Sequence, residues 1–123
     1  IEFAKHAGGK ESALYKSTMS GMESYKAYAI TNNILFEKIS EVYSRDIPIE
    51  EKAKLRAEII KKDGKGDTNN ARIAADYVYT KHFITCYKLY EKYRSLDVVV
   101  KVLKKMPANE SYSEAYFKKF LTD

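Results

Sequence analysis

Between Ile73 and Tyr93 the chain carries two interleaved apolar and aromatic stripes, and few folds accommodate both. Ile73, Tyr77, Ile84 and Tyr87 recur at helical spacing. Tyr79, Phe83, Cys86, Tyr90 and Tyr93 do the same, offset around the axis. One stripe marks a surface helix; two mark a helix buried on more than one side. The spacing predicts a long helix from about Asp67 to Arg94 at the centre of a small all-α bundle, with Asp67 or Thr68 as its cap. Tyr77, Phe83, Tyr87 and Tyr90 are its expected core aromatics.

Other helices must cover those stripes, and the chain supplies them, for about five in all. Met22, Tyr25, Ala29, Phe36, Ile39 and Tyr43 alternate by threes and fours, with polar Asn32 at the remaining seam position. This predicts three heptads of helix, roughly 33 Å long. The seam either docks on the aromatic helix of its own chain or pairs with a second copy. A monomer is the preferred reading in so short a chain, and a homodimer through residues 22–43 is the alternative. Pro48 suits the first turn of the next helix, with Glu50 and Glu51 at its positive dipole end. Ala53, Leu55, Ile59 and Ile60 form its apolar edge, Lys61 and Lys62 suit its last turn, and Gly64 and Gly66 stop it.

Ser95 caps a further helix carrying Leu96, Val99, Val100, Leu103 and Met106. The run Val98-Val99-Val100 also fits a strand, but Leu96, Val99, Val100 and Leu103 fall at i, i+3, i+4 and i+7, which favours helix. Pro107 closes it. Ser111-x-x-Glu114 is a capping box, and Tyr116, Phe117, Phe120 and Leu121 form the apolar side of a last helix, with Phe117 and Phe120 as core aromatics. Residues 1–12 hold Gly8-Gly9 and no sustained period. They read as a flexible N-terminal arm, which leaves 13–123 as a single helical domain. A chain of 123 residues with 45% apolar and 32% charged residues suits one globular domain.

No stretch is long and apolar enough for a transmembrane helix. The first residues lack the layout of a signal peptide, so any targeting segment is expected to have been removed. Cys86 is the sole cysteine, which points to a reducing compartment. The net charge of +5 allows an anionic surface or an acidic protein as partner without requiring either.

Candidate chemistry is sparse. His82 and Cys86 are four apart and would share a helix face, as a nucleophile and its base or as half of a zinc site. Both need a third group, and Cys86 sits within an aromatic stripe, so a core role is expected. The loop Asp63 to Asn70 resembles a calcium loop in composition. Its sixth and twelfth positions are Thr68 and Ala74 where glycine and glutamate are needed, so it reads as a turn. Gly64-Lys65-Gly66 and Gly8-Gly9-Lys10 lack the spacing of a phosphate loop. Glu50 and Glu51 point apart on a helix and are not a catalytic pair. Lys101, Lys104, Lys105, Lys118 and Lys119 form the densest basic group. They are either a phosphate-facing patch or the solvated side of the last two helices. No metal or other cofactor is expected, and no catalytic residue. Eleven tyrosines favour a protein contact surface as well as a core.

The stretch from Tyr90 to Phe120 resembles the WY-domain of secreted RXLR-type effectors of oomycete plant pathogens. Tyr90, then Tyr93-Arg94-Ser95-Leu96-Asp97, then Val99 and Leu103, then Tyr116, Phe117 and Phe120 follow that module's order. The chain has no tryptophan, so Tyr90 or Tyr87 takes that position. The family's Arg-x-Leu-Arg motif lies upstream of the folded part and is not in this sequence. The resemblance implies a helical, non-enzymatic protein that is secreted, enters a host cell, binds a host protein and suppresses plant immunity. Apart from the resemblance, the expected function is a cytoplasmic protein-binding module, with a small basic helical protein for nucleic acid or anionic lipid as the alternative.

Overall fold

The computed structural model describes residues 1–64, 68–110 and 114–122. Their regular structure is entirely helical, as the periodicity predicts. In order come α1 (Glu2–Gly8), α2 (Ala13–Ser44), α3 (Ile49–Asp63), α4 (Asn70–Thr80), α5 (Phe83–Tyr93), α6 (Leu96–Lys104), a 3-10 turn (Ala108–Glu110) and α7 (Glu114–Leu121). The Ser111 capping box and the roles given to Gly66 and Asp67 lie outside the described residues. By its internal packing the chain divides into two compact units. One contains Ile1–Glu23 and His82–Asp123, the other Ser24–Lys81. Each has its own apolar cluster, which chain length alone does not reveal.

The first unit is built on α5. Leu89, Tyr90, Val99, Val102, Tyr116 and Phe117 form its core, with Cys86, Leu103, Met106 and Phe120 packed against them. Arg94 ends α5 in the left-handed conformation at φ 51°, its N–H bonded to the Tyr90 carbonyl at 2.7 Å. Ser95 caps α6 as expected, its hydroxyl accepting from the Val98 N–H. The three valines are helical. The buried face of α6 uses Val102, whereas Leu96 and Val100 are exposed. Apolar residues on three sides of this helix fit more than one stripe, and packing selects among them. The Tyr116 hydroxyl donates to the Val102 carbonyl at 2.7 Å and ties α7 to α6.

The expected flexible arm contains a helix. Ala4 of α1 is buried, Ile1 packs on the core, and the Tyr90 hydroxyl donates to Glu2 Oε1 at 2.7 Å. Gly9, at φ 73°, ends this helix. Tyr87 donates to Glu23 Oε1 at 2.5 Å. The bond to Glu23, then burial, pushes the Tyr87 phenol up to about 12. Burial, then the bond to Glu2, pushes Tyr90 up to about 12. Both values exceed the unfolded value of about 10, so these bonds add stability below that pH and lose it as pH rises through about 12. The bond from Tyr90 holds the Glu2 carboxyl below its usual range, so that contribution is present at higher pH and lost as pH falls through the lowered value. A phenolate absorbance titration is expected to end in a late phase that shrinks in both Tyr87→Phe and Tyr90→Phe. A native curve complete by about pH 11 would contradict these bonds.

The second unit packs the later part of α2 with α3 and α4. Leu35, Ile39 and Ile73 form its core, with Phe36, Ile59 and Ile60 beside them. Phe36 stacks on Tyr77 with ring centroids 3.8 Å apart. The buried side of α2 is Ala29, Asn32, Leu35, Ile39 and Val42, so Tyr25 and Tyr43 lie at its exposed margin. Pro48 stands at the N-cap of α3, one position before the first turn, and its carbonyl accepts from the N–H groups of Glu51 and Lys52. Gly64 ends α3, and a Cβ there would lie 2.6 Å from the Ile60 carbonyl oxygen. Gly64→Ala should therefore distort the last turn and destabilise by about 1 kcal/mol or more in denaturant melts. An unchanged midpoint would contradict this close approach.

The single helix expected from Asp67 to Arg94 is interrupted at Lys81 and His82, which separates α4 from α5. No glycine or proline marks the break. The Thr80 carbonyl accepts from Asn33 Nδ2 at 3.3 Å, and a carbonyl engaged by a side chain competes with the main-chain donor four residues on. His82, at φ −102° and ψ −9°, is the N-cap of α5. The longest helix is instead α2, at 32 residues.

Candidate functional site

Asn69, one residue beyond the expected cap positions, starts α4. Its side chain accepts from the Arg72 N–H at 2.9 Å. Ile73 and Thr80 are buried, while Asp76 and Tyr77 are half-buried. At 100° per residue, Ala71, Ala74, Ala75, Val78 and Tyr79 fall on the side away from Ile73, and all five are exposed. Val78 and Tyr79 are 68% and 76% exposed. This corrects the stripe that places Tyr79 in the core; the interruption after Thr80 stops the second stripe from running through α4. The outer side of α4 is therefore apolar and open. Exposed Arg72 and Lys81 flank it. A helix apolar on every side is normally buried, so an open apolar side on α4 calls for a reason.

A groove of about 450 Å³ runs between α2 and α4, and Tyr28, Asn32, Arg72 and Asp76 are among its lining residues. Asp76 Oδ2 accepts from the Tyr28 hydroxyl and lies 3.8 Å from Arg72 Nε. The bond to Asp76 is the main cause that raises the Tyr28 phenol above its ordinary value. Asn32, 5% exposed, donates through Nδ2 to the Ile73 carbonyl at 3.3 Å and to Thr80 Oγ1 at 3.1 Å. The seam asparagine is thus bonded within its own chain.

The other expected positions are placed as follows. Tyr87, Tyr90 and Phe117 are buried, whereas Tyr77, Phe83 and Phe120 are half-buried. Phe83 stacks on Tyr87 at 5.9 Å. His82 is the N-cap of α5 and Cys86 lies in its first turn, half-buried against the core. Burial pushes the Cys86 thiol up, which disfavours the thiolate a nucleophile or metal ligand needs. Cys86 should react slowly with a disulfide reagent in the native chain and rapidly once it is unfolded. Equal rates would place the thiol in solvent. No group of three His, Cys, Asp or Glu able to hold a metal occurs among the described residues.

Lys101, Lys104, Lys105, Lys118 and Lys119 are all exposed. Lys118 lines a concavity in the first unit together with Lys88 and Glu114, and Lys119 Nζ lies 5.7 Å from the Tyr116 ring. No described helix is long and apolar enough to cross a membrane. No protein family, curated protein or solved structure matches the chain.

Proposed function

We propose that this chain is a protein-binding module without catalytic activity, and that the outer side of α4 is its contact surface. The observation that carries this reading is the exposed apolar row Ala71, Ala74, Ala75, Val78 and Tyr79. Exposed apolar surface is costly to leave in water, and a tyrosine beside small residues suits an interface. Arg72 and Lys81 at its margins, on a chain of net charge +5, suit a partner whose apolar surface is rimmed by acidic groups. The intrachain bonds of Asn32 support a monomer over a dimer through residues 22–43. A monomer mass by sedimentation at high micromolar concentration would agree with this.

The WY-like order of Tyr90, Val99, Leu103, Tyr116 and Phe117 supports the finer reading. There the chain is a secreted pathogen effector acting inside a plant cell, and the partner is a host protein whose capture suppresses immunity. Capture from plant extract tests it, with a Val78→Asp/Tyr79→Asp double variant as control. The expected result is a protein retained by the native chain and lost by the variant. Retention by both, or reproducible substrate turnover by the native chain, would overturn the reading. If the five lysines instead bind nucleic acid or anionic lipid, association should fall steeply across a salt series.

A further inference from the structure

Apart from Arg72, which also borders the outer side of α4, the α2–α4 groove has chemistry that the protein-binding reading does not use. The Ile73 carbonyl can only accept, so the bond from Asn32 Nδ2 fixes which end of that amide is nitrogen. Both Nδ2 hydrogens are then taken, by Ile73 and by Thr80. The remaining atom, Oδ1, has no partner among the described residues, on a side chain 5% exposed that lines the groove. A buried acceptor left without a donor is unfavourable and calls for an N–H or O–H from outside the chain.

Two further groups face the same space. Asp76 uses Oδ2 for both Tyr28 and Arg72, which leaves Oδ1 without a partner among the described residues. Arg72 Nε lies 3.8 Å from Asp76 Oδ2, and its two terminal amino groups have no hydrogen-bond partner among the described residues. A guanidinium fork matches a carboxylate. The groove thus presents one cationic fork beside two acceptors, one of them anionic. The wall carries one charge of each sign, which suits a ligand that also carries both. The Arg72–Asp76 contact is half-exposed and long, so inserting a ligand there sacrifices little.

We propose that this groove binds a free α-amino acid as its zwitterion. The ligand carboxylate pairs with the Arg72 fork. Its ammonium donates to Asp76 Oδ1 and Asn32 Oδ1. Because the two protein charges are close neighbours, they fit a ligand whose opposite charges sit two bonds apart. The groove volume of about 450 Å³ is within the range of small-molecule sites and leaves room for a side chain beside Leu35 and the Thr31 hydroxyl. The proposal does not depend on the α4 contact surface.

Amide NMR titration of the full chain tests it, with each of the twenty standard L-amino acids at up to ~10 mM. Acetate, methylammonium and N-acetylalanine amide serve as partial ligands. Saturable shifts confined to residues 24–35 and 68–76 are expected for at least one amino acid. Arg72→Gln and Asp76→Asn should each weaken it about tenfold or more, the loss of one charge-assisted bond. Arg72 is largely exposed, so Arg72→Gln should keep the native melt. No saturable shift with any amino acid would overturn the proposal. So would equal saturation by acetate alone, which would mark a plain anion site, or undiminished binding in Arg72→Gln.

Discussion

Phe117→Ala is expected to destabilise the chain by about 3–5 kcal/mol, the range for truncating a buried phenylalanine. Phe117 is 2% exposed and packs among Leu89, Val99, Val102 and Tyr116. Its ring meets Tyr116 edge-on at 5.4 Å. Truncation removes transfer energy and opens a cavity beside the Tyr116–Val102 bond. Small domains have only about 5–15 kcal/mol in total, so part of the population should unfold at ordinary temperature. Phe83→Ala is the useful comparison, because Phe83 is half-buried and should lose clearly less. Denaturant melts that rank Phe83 above Phe117 would reverse the assignment of the core.

Thr80→Val is expected to cost about 2–3 kcal/mol although it changes almost no volume. Thr80 is 1% exposed, and its hydroxyl accepts from Asn32 Nδ2 and donates to Asn33 Oδ1 at 2.7 Å. Valine leaves a buried donor and a half-buried acceptor without partners, at about 1–3 kcal/mol for each buried group. Thr80→Ser keeps the hydroxyl and should lose about 1 kcal/mol for the methyl. The order of the two variants is the test. If serine is the more damaging, then packing rather than the hydrogen bonds holds this end of α4.

The features legible in the sequence are those with local causes. Ser95 caps α6 because its hydroxyl reaches an N–H three residues on. Gly64 ends α3 because no Cβ fits against Ile60. The all-helical class follows from period alone. The interruption at Lys81 and His82 is not legible, because no glycine or proline marks it and the Asn33–Thr80 bond beside it joins residues 47 apart. A long stripe drawn through that break puts Tyr79 inside, where the structure has it outside. Period favours Val100 over Val102, yet valines on three sides of α6 fit several registers and packing chooses Val102. The groove is also invisible: Tyr28 and Asp76 are 48 residues apart, and neither lies in a recognisable motif. The helix in residues 1–12 meets Tyr90, 88 residues away from Glu2 in the chain.

The outer side of α4 is the proposed protein-contact surface. Its most direct measurement is a binding isotherm of the captured partner against the native chain and against Tyr79→Asp. Tyr79 is 76% exposed and belongs to neither apolar cluster of the described residues, so the variant should melt as the native chain does. Loss of a central tyrosine contact is worth about 2 kcal/mol or more, so the expected result is affinity reduced about thirtyfold with an unchanged melt. An identical dissociation constant for the two chains would contradict it.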